Sequence, residues 1–323
     1  MRVVLAGGSG HVGQILARHL MGRGDDVVIL ARGSASVGRV VAWDGCTIGD
    51  WADVIDGADV VVNLAGRTVN CRYTEANLRE MLESRVASTQ AVGAAIASAK
   101  NPPRVWLQMS TATIYAHRFD AANGESSGVL GGDEPGVPAY WGRSVSIAKA
   151  WEAALEEAPT PRTRKVALRT AMVMSPDVGG IFDVMLGLVR WGLGGSVGDG
   201  RQYVSWIHGT DFARAVDFLV ACETIAGRVN LAAPAPLPYR DFMRALRGAW
   251  GTWVGLPATR WMLEVGAWVM RTDTELVLKS RRVVPERLLA AGFSFDFGEW
   301  PGAARDLVAA WRASRSTVAH GAA

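Results

Sequence analysis

Short apolar runs and longer stretches of helical periodicity alternate along the first half of the chain. The runs at 2–6, 27–30 and 59–66 are largely continuous instead of apolar at every second position. Continuous runs are typical of parallel strands covered on both faces. Helical patterns at about 11–22 and 75–99 accompany them. This succession predicts βαβ units and therefore an α/β fold with a doubly wound parallel sheet.

The same rhythm continues to about residue 170. It predicts a strand at 105–110, a loop rich in Gly and Pro at 120–140, a helix at about 144–157 and a strand at 165–170. We therefore expect residues 1–170 to form one domain.

Beyond residue 170 the order becomes irregular. The pattern predicts a strand at 204–208 and several helices, at 180–191, from about Asp211, at 239–250 and at 257–270. Such an order predicts a smaller α+β lobe over the carboxyl edge of the sheet, where a binding cleft belongs. We assign 171–200 and 226–311 to this lobe, about 201–225 to the first domain and 312–323 to a flexible tail, which lacks apolar periodicity.

Composition narrows the classes of function. The 323 residues carry a net charge of +3 with scattered Lys and Arg, so neither nucleic acid nor a membrane is an expected partner. No targeting signal or run of about 20 apolar residues is visible. Three cysteines without paired spacing fit a reducing compartment, and five histidines form no paired ligand motif. We expect a soluble cytoplasmic protein without a metal site.

A glycine-rich segment joins the first strand to the first helix. Gly7, Gly10 and Gly13 are spaced G-x-x-G-x-x-G, and this position makes an otherwise weak pattern informative. The loop must turn tightly and let backbone N–H groups approach a pyrophosphate, while the helix N-terminus supplies its positive dipole end. The pattern predicts a dinucleotide-binding Rossmann domain; the alternative is a plain strand-to-helix turn.

The end of the second strand bears on the choice of cofactor. An NAD site offers Asp or Glu there to the ribose 2′-hydroxyl, whereas this chain has Ala31 and Arg32. A guanidinium pairs with a 2′-phosphate, so NADP(H) is favoured over NAD(H). Two alternatives stay open: Arg32 is simply a surface residue, or Asp44 reaches the ribose.

At this point the chain resembles the extended, atypical short-chain dehydrogenase/reductases, in the sugar-nucleotide-epimerase-like subgroup with a C-terminal domain of unknown function. The resemblance covers about residues 1–310. It rests on six segments: GGSGHVG at 7–13, VVNLAG at 61–66, SRVAST at 84–89, LRTAMVMSP at 168–176, GLGGSVGDGRQYVSWIH at 192–208 and KSRRVVPERLLAAGF at 279–293.

The resemblance implies further cofactor contacts. In that group the VNLAG segment lies beneath the adenine and ribose, which implies Leu64, Ala65 and Gly66 here. On the other matching motifs it implies Ser9, His11 and Val12 beside the glycines, and Arg85. Related enzymes dimerise through helices matching 75–99 and 144–157, so a homodimer is also expected.

The resemblance places a catalytic hydroxyl at Thr111, within a segment similar to the superfamily's Ser-Ser-Ala-x-x-Tyr strand. That hydroxyl could hydrogen-bond a substrate oxygen, and a structural role for a β-branched residue at a strand end is the alternative. The family's Tyr-x-x-x-Lys pair is absent: Lys149 could be the lysine and bind ribose, but Val145 stands four residues before it. Substitute proton donors on the following loops are Tyr115, His117 and Tyr140.

The strand at 204–208 offers a second set of candidates. Period-two spacing sends Gln202, Trp206 and His208 to one face and Arg201 and Ser205 to the other. Related enzymes use an arginine in this region for a diphosphate, but the spacing here differs. Asp211 is predicted to be a helix N-cap.

The leading hypothesis is an NADP(H)-dependent oxidoreductase or epimerase acting on a small or medium carbonyl or alcohol substrate. The missing tyrosine motivates an alternative, a non-catalytic NADP(H)-binding redox sensor or regulatory protein. A third hypothesis, a nucleotide-sugar epimerase with tightly held NAD, is disfavoured by Arg32 and by the missing tyrosine.

Overall fold

Seven parallel strands form the central sheet of the protein. The structure, a computed structural model, describes residues 1–138, 140–257 and 275–321. The strands are β1 (Arg2–Ala6), β2 (Asp26–Ala31), β3 (Arg39–Ala42), β4 (Val60–Asn63), β5 (Val105–Thr111), β6 (Arg164–Thr170) and β10 (Gly227–Leu231). Their order across the sheet is β10-β6-β5-β4-β1-β2-β3. This order changes direction next to β1, so the predicted doubly wound Rossmann sheet is confirmed.

Helices cover both faces of the sheet. They are α1 (His11–Gly22) and α5 (Gly209–Ala221) on one face, and α2 (Glu75–Ser98) and α3 (Trp141–Glu157) on the other. Leu16 and Phe212 are fully buried against the first face, and Val92 against the second. Burial on both faces explains why the strands read as continuous apolar runs.

The smaller lobe is built from short strands and helices. Two strand pairs belong to it: β7 (Met172–Met174) runs parallel to β9 (Trp206–His208), and β8 (Tyr203–Val204) antiparallel to β11 (Leu237–Pro238). Its helices are α4 (Ile181–Arg190), α6 (Tyr239–Trp250), α7 (Glu275–Leu278) and α9 (Trp300–Gly321). The short helix α8 (Glu286–Ala290) instead packs on β10, with Leu288 buried in the core of the main sheet. Phe242 stacks on Trp300 in the core of the smaller lobe, with ring centroids 3.9 Å apart. Among the described helices, none is long and apolar enough to cross a membrane.

The predicted division of the chain needs corrections besides the position of α8, which was expected in the smaller lobe. Residues 203–208, expected in the first domain, form β8 and β9 of the smaller lobe. Residues 227–231, expected in the smaller lobe, form β10 at the edge of the main sheet because they pair in register with β6. The predicted strand at 204–208 is interrupted at Ser205, whose hydroxyl donates to the Arg281 carbonyl and accepts from the Val283 amide. The expected tail is helical to Gly321 as the end of α9.

Two further predictions concern helices. Residues 258–270 of the helix predicted at 257–270 lie outside the described residues. The N-cap of α5 is His208, whose ring accepts from the Thr210 amide, and not Asp211. Asp211 instead accepts from the amides of Asp296 and Phe297 and so anchors a distant loop.

Candidate cofactor and active site

The glycine loop has the tight geometry that a dinucleotide cradle requires. Gly7 has a φ of 76°, and a Cβ on it would lie 2.7 Å from the Ala65 backbone. A Cβ on Gly13 would lie 2.5 Å from the Gly8 carbonyl oxygen. A Cβ on Gly10 would meet nothing closer than 3.5 Å. The outer two glycines thus allow close packing, and Gly10 leaves open space at the start of α1.

The N-terminus of α1 is free of side-chain caps. Gly10 is extended at the N-cap, no side chain hydrogen-bonds there, and the first turn has no acidic residue. Unpaired N–H groups and the positive dipole end therefore favour an anion at this point. The residues present fit the pyrophosphate of a dinucleotide.

The other predicted contacts of this loop lie beside it. Ser9 is exposed, and Val12 is half-buried in the first turn of α1. The His11 ring hydrogen-bonds the Ser175 hydroxyl at 3.1 Å, and Ser175 donates to Asp177. The glycine loop is thereby joined to the segment that follows β7.

Arg32 is exposed directly after β2, as the sequence placed it. The loop carrying it is joined to the glycine loop through Gln14, which donates to the Gly8 carbonyl at 2.7 Å and accepts from the Ser36 amide at 3.0 Å. Asp44 accepts from the Cys46 and Thr47 amides and the Thr47 hydroxyl, and these bonds hold its pKa well below the usual range. The Asp44 carboxylate is thus held by hydrogen bonds within its own turn. Arg32 is therefore better placed than Asp44 to contact the ribose end of a cofactor.

The loop after β4 packs on the glycine loop and on Arg85. Leu64 donates its amide to the Ala6 carbonyl, and Ala65 to the Asn63 side chain. A Cβ on Gly66 would lie 3.2 Å from the Arg85 side chain. Arg85 donates to the Met81 and Arg67 carbonyls, and burial lowers its pKa to about 10. Its visible role is to hold this loop from behind.

Thr111 and His117 stand on the segment that leaves the carboxyl end of β5. The Thr111 hydroxyl oxygen accepts from the Thr113 amide at 3.1 Å, and this bond leaves its own proton available to a substrate oxygen. His117 Nδ1 accepts from the Ser280 amide at 2.8 Å, so its neutral ring carries the proton on Nε2. Burial lowers the pKa of His117, with help from Lys279 and Arg281.

The remaining catalytic candidates are placed less favourably. Tyr115 is buried, donates to Asn230 at 2.8 Å and accepts from Arg169 at 3.0 Å, so its hydroxyl belongs to the core. Tyr140 is half-buried just before α3. Lys149 is on the exposed side of α3 and donates to the Gly131 carbonyl.

No tyrosine–lysine pair forms on α3, because Val145 stands where the tyrosine would be and Lys149 is on the exposed side of the helix. Val145 and Ala148 are each 1% exposed and pack on the segment after β5, so the residue preceding Lys149, not Lys149 itself, faces inward. The structure therefore places Thr111 and His117 on one segment at the carboxyl end of β5, buries the Tyr115 hydroxyl in the core and leaves Lys149 on the exposed side of α3.

Sequence reasoning missed a buried polar cluster between the lobes. Lys279 donates to the Thr113 carbonyl at 3.0 Å and faces Glu275 at 3.5 Å. Arg281 donates to the Thr113 hydroxyl, and Ser144 to Glu275 at 2.6 Å. We call these five residues the interlobe cluster. Its only sequence signal was charged residues in the KSRRVVP segment. Glu275 is four residues before Lys279, but Thr113 and Ser144 lie far away along the chain.

A pocket of about 240 Å³ opens between the loops after β5 and the smaller lobe. We call it the interlobe pocket. Its described wall is aromatic and aliphatic, with few polar groups. The polar members are His117, Asp199 and Gln202, and the larger apolar ones are Phe119, Val137, Pro138, Trp141, Val197 and Leu278.

Family comparisons agree with this arrangement. The model of the NAD dependent epimerase/dehydratase family matches residues 3–135, and that of a domain of unknown function, DUF1731, matches residues 258–307. Human epimerase family protein SDR39U1 is 30% identical over 312 residues, which cover 96% of this chain and 100% of the human protein. Epimerase family protein YfhF of Bacillus subtilis is 27% identical over 318 residues, which cover 96% of this chain and 98% of that protein.

A solved structure extends the comparison. The crystal structure of human SDR39U1 (isoform 2) with NADPH superimposes with a TM-score of 0.82 at 29% identity, and covers 95% of this chain and 99% of that chain. The likeness therefore includes both the sheet and the smaller lobe.

Proposed function

This chain belongs to the NAD dependent epimerase/dehydratase family, and we propose that it is an NADP(H)-dependent oxidoreductase or epimerase acting on a small or medium carbonyl or alcohol. The observation that carries the proposal is the uncapped α1 N-terminus behind a tightly packed glycine loop, with Arg32 exposed at the end of β2. The NADPH in the human relative's crystal structure supports the same cofactor.

The proposed roles at the cofactor site follow from charge and shape. The glycine loop and the first turn of α1 hold the pyrophosphate, and Arg32 pairs with the 2′-phosphate. Leu64, Ala65 and Gly66 line the adenosine side through their backbone. Bound NADPH supplies the hydride that a carbonyl carbon accepts.

Thr111 and His117 act on the substrate oxygen in this proposal. Each donates a hydrogen bond to the oxygen as negative charge develops on it, Thr111 from Oγ1 and His117 from Nε2. His117 is a neutral donor because its lowered pKa keeps the ring uncharged near neutral pH. A neutral imidazole does not release its proton readily, so the proton that completes the alcohol comes from water.

A turnover assay with a panel of aldehydes and ketones tests the proposal through loss of NADPH absorbance. Thr111→Val keeps the shape of the side chain and removes the hydroxyl. We expect kcat to fall by about a hundredfold while NADPH affinity is retained. Thr224→Val, on an exposed loop before β10, is the matched control and should turn over like wild type.

The non-catalytic sensor is the second candidate, and the buried hydroxyl of Tyr115 together with the outward Lys149 favours it. The same assay separates the two. Tight NADPH binding without reduction of any carbonyl, and a Thr111→Val variant equal to wild type, would support the sensor and contradict the enzyme.

A further inference from the structure

The interlobe pocket lacks positive charge. Among its lining residues in the described part of the chain there is no Lys or Arg, and its one formal charge is the carboxylate of Asp199. Asp199 is exposed and accepts from the Arg201 amide at 3.0 Å, so the carboxylate is fixed within a turn at the pocket. An anionic ligand would meet a like charge there.

Two buried cations, Lys279 and Arg281, lie behind the wall and are committed to other groups. Lys279 is 2% exposed, with its ammonium on the Thr113 carbonyl and Glu275. Arg281 is 8% exposed and spreads its guanidinium over Thr113 and the backbone carbonyls of Glu275 and Lys279. Glu275 is fully buried beside both. These cations therefore balance a buried carboxylate and do not face a ligand.

The rest of the described wall of the interlobe pocket suits the apolar part of a ligand. The His117 ring meets Phe119 and Trp141 edge-on, at centroid distances of 5.0 and 5.3 Å. Aliphatic side chains complete the wall. His117 is one of the lining residues, and the proton on its Nε2 suits a carbonyl or hydroxyl oxygen.

We propose that the interlobe pocket selects compact, uncharged carbonyl or alcohol substrates with an aromatic or other apolar body, and rejects carboxylates and nucleotide-diphosphate sugars. This inference deepens the proposed function and rests on it. A diphosphate needs cationic partners in a partly buried site, and none lines this pocket in the described residues. At about 240 Å³ the pocket is also below the roughly 300–1,000 Å³ typical of small-molecule sites.

A binding experiment with matched ligands tests the inference independently of turnover. The probes are benzyl alcohol, its anionic counterpart 4-(hydroxymethyl)benzoate, and UDP-glucose. Each is titrated into full-length protein saturated with NADP⁺, with saturation-transfer NMR as the readout. We expect benzyl alcohol to bind at least about tenfold more tightly than the benzoate, and UDP-glucose to show no competition with it.

The variant Asp199→Asn tests whether the Asp199 carboxylate causes the preference for the neutral alcohol over the anionic one. The amide oxygen can still accept from the Arg201 amide, so the turn is kept. The preference for benzyl alcohol over the benzoate should shrink by about three- to tenfold. Asp53→Asn, at an exposed carboxylate before β4, is the matched control and should leave the preference unchanged.

The outcomes separate this inference from the proposed function. Equal affinity for the neutral and anionic alcohols, or displacement of benzyl alcohol by UDP-glucose, overturns the substrate class. A neutral preference that Asp199→Asn reduces supports it, even if no carbonyl is ever reduced, in which case only the oxidoreductase proposal fails.

Discussion

At the scale of single residues, one half-buried and one buried histidine make the stability of this protein depend on pH. His117 is half-buried at the interlobe pocket, and His208 is 5% exposed and stacks on Phe297. Burial lowers the pKa of both below the ordinary value of 6.5, although Glu134 opposes the shift at His117 and Asp306 opposes it at His208. Each ring therefore binds a proton more readily in the unfolded chain than in the folded one.

Acid should therefore destabilise the folded protein. Stability from these two rings is complete above the unfolded pKa of about 6.5 and is lost as the pH falls below it. We expect the free energy of unfolding to drop between about pH 6.5 and 5, by at most about 1.4 kcal/mol per pH unit for each histidine. Urea unfolding across this range measures it.

The His208→Asn variant provides the control for that prediction. Asn can also cap α5, so the helix start is kept while the titrating ring is lost. A shallower fall in stability with acid is expected. An unchanged slope in the variant would contradict the role of His208.

At the scale of elements, a buried ion pair fixes α3 to the main sheet. Glu152 on α3 accepts from Arg169 on β6 through both carboxylate oxygens, at 2.8 and 2.7 Å, and from Ser110 on β5 at 2.7 Å. Arg169 also donates to Tyr115. The network lies next to Thr111, so it holds the end of β5 in place.

Removing one partner leaves the other charge buried. Glu152→Gln should lower the free energy of unfolding by about 3 kcal/mol, since Arg169 would keep its charge without a carboxylate. Glu156→Gln on the exposed side of α3 is the matched control, and an exposed pair contributes about 0–1 kcal/mol. Chemical denaturation of both variants is the measurement, and equal losses would argue against a special role of the buried pair.

Element prediction succeeded where a pattern is local. The boundaries of α1 follow from its apolar periodicity and the glycine before it, and they agree with the structure. Edge strands were harder. β3 has mostly exposed residues, and β10 alternates polar Arg228 and Asn230 with apolar positions, so neither has the continuous apolar run of a central strand.

At the scale of the whole molecule, the C-terminal residues 275–287 join the two lobes. Lys279 and Arg281 reach Thr113, and Glu286 accepts from Ser126 and Ser127. Residues of the C-terminal segment therefore contact the stretch from 111 to 117, which carries Thr111 and His117. A homodimer through α2 and α3 stays a prediction.

Contacts between residues far apart along the chain could not be predicted from the sequence. The glycine loop and Arg32 were predictable because a cofactor cradle needs a local spacing of residues. The interlobe cluster was not, since Glu275 and Thr113 are more than a hundred positions apart and only the fold shows that they compensate the same cations. The burial of Tyr115 likewise depends on Asn230, from a strand the pattern did not predict.

The glycine loop and Arg32 together are proposed to bind NADP(H), and calorimetric titration measures this binding. NADPH and NADH are titrated separately into wild type and Arg32→Ala. We expect NADPH to bind wild type at least about tenfold more tightly than NADH, some 1.4 kcal/mol, and Arg32→Ala to lose that preference while still binding NADH. Failure of wild type to bind either nucleotide would contradict a cofactor site here, because the glycine loop would then be only a turn.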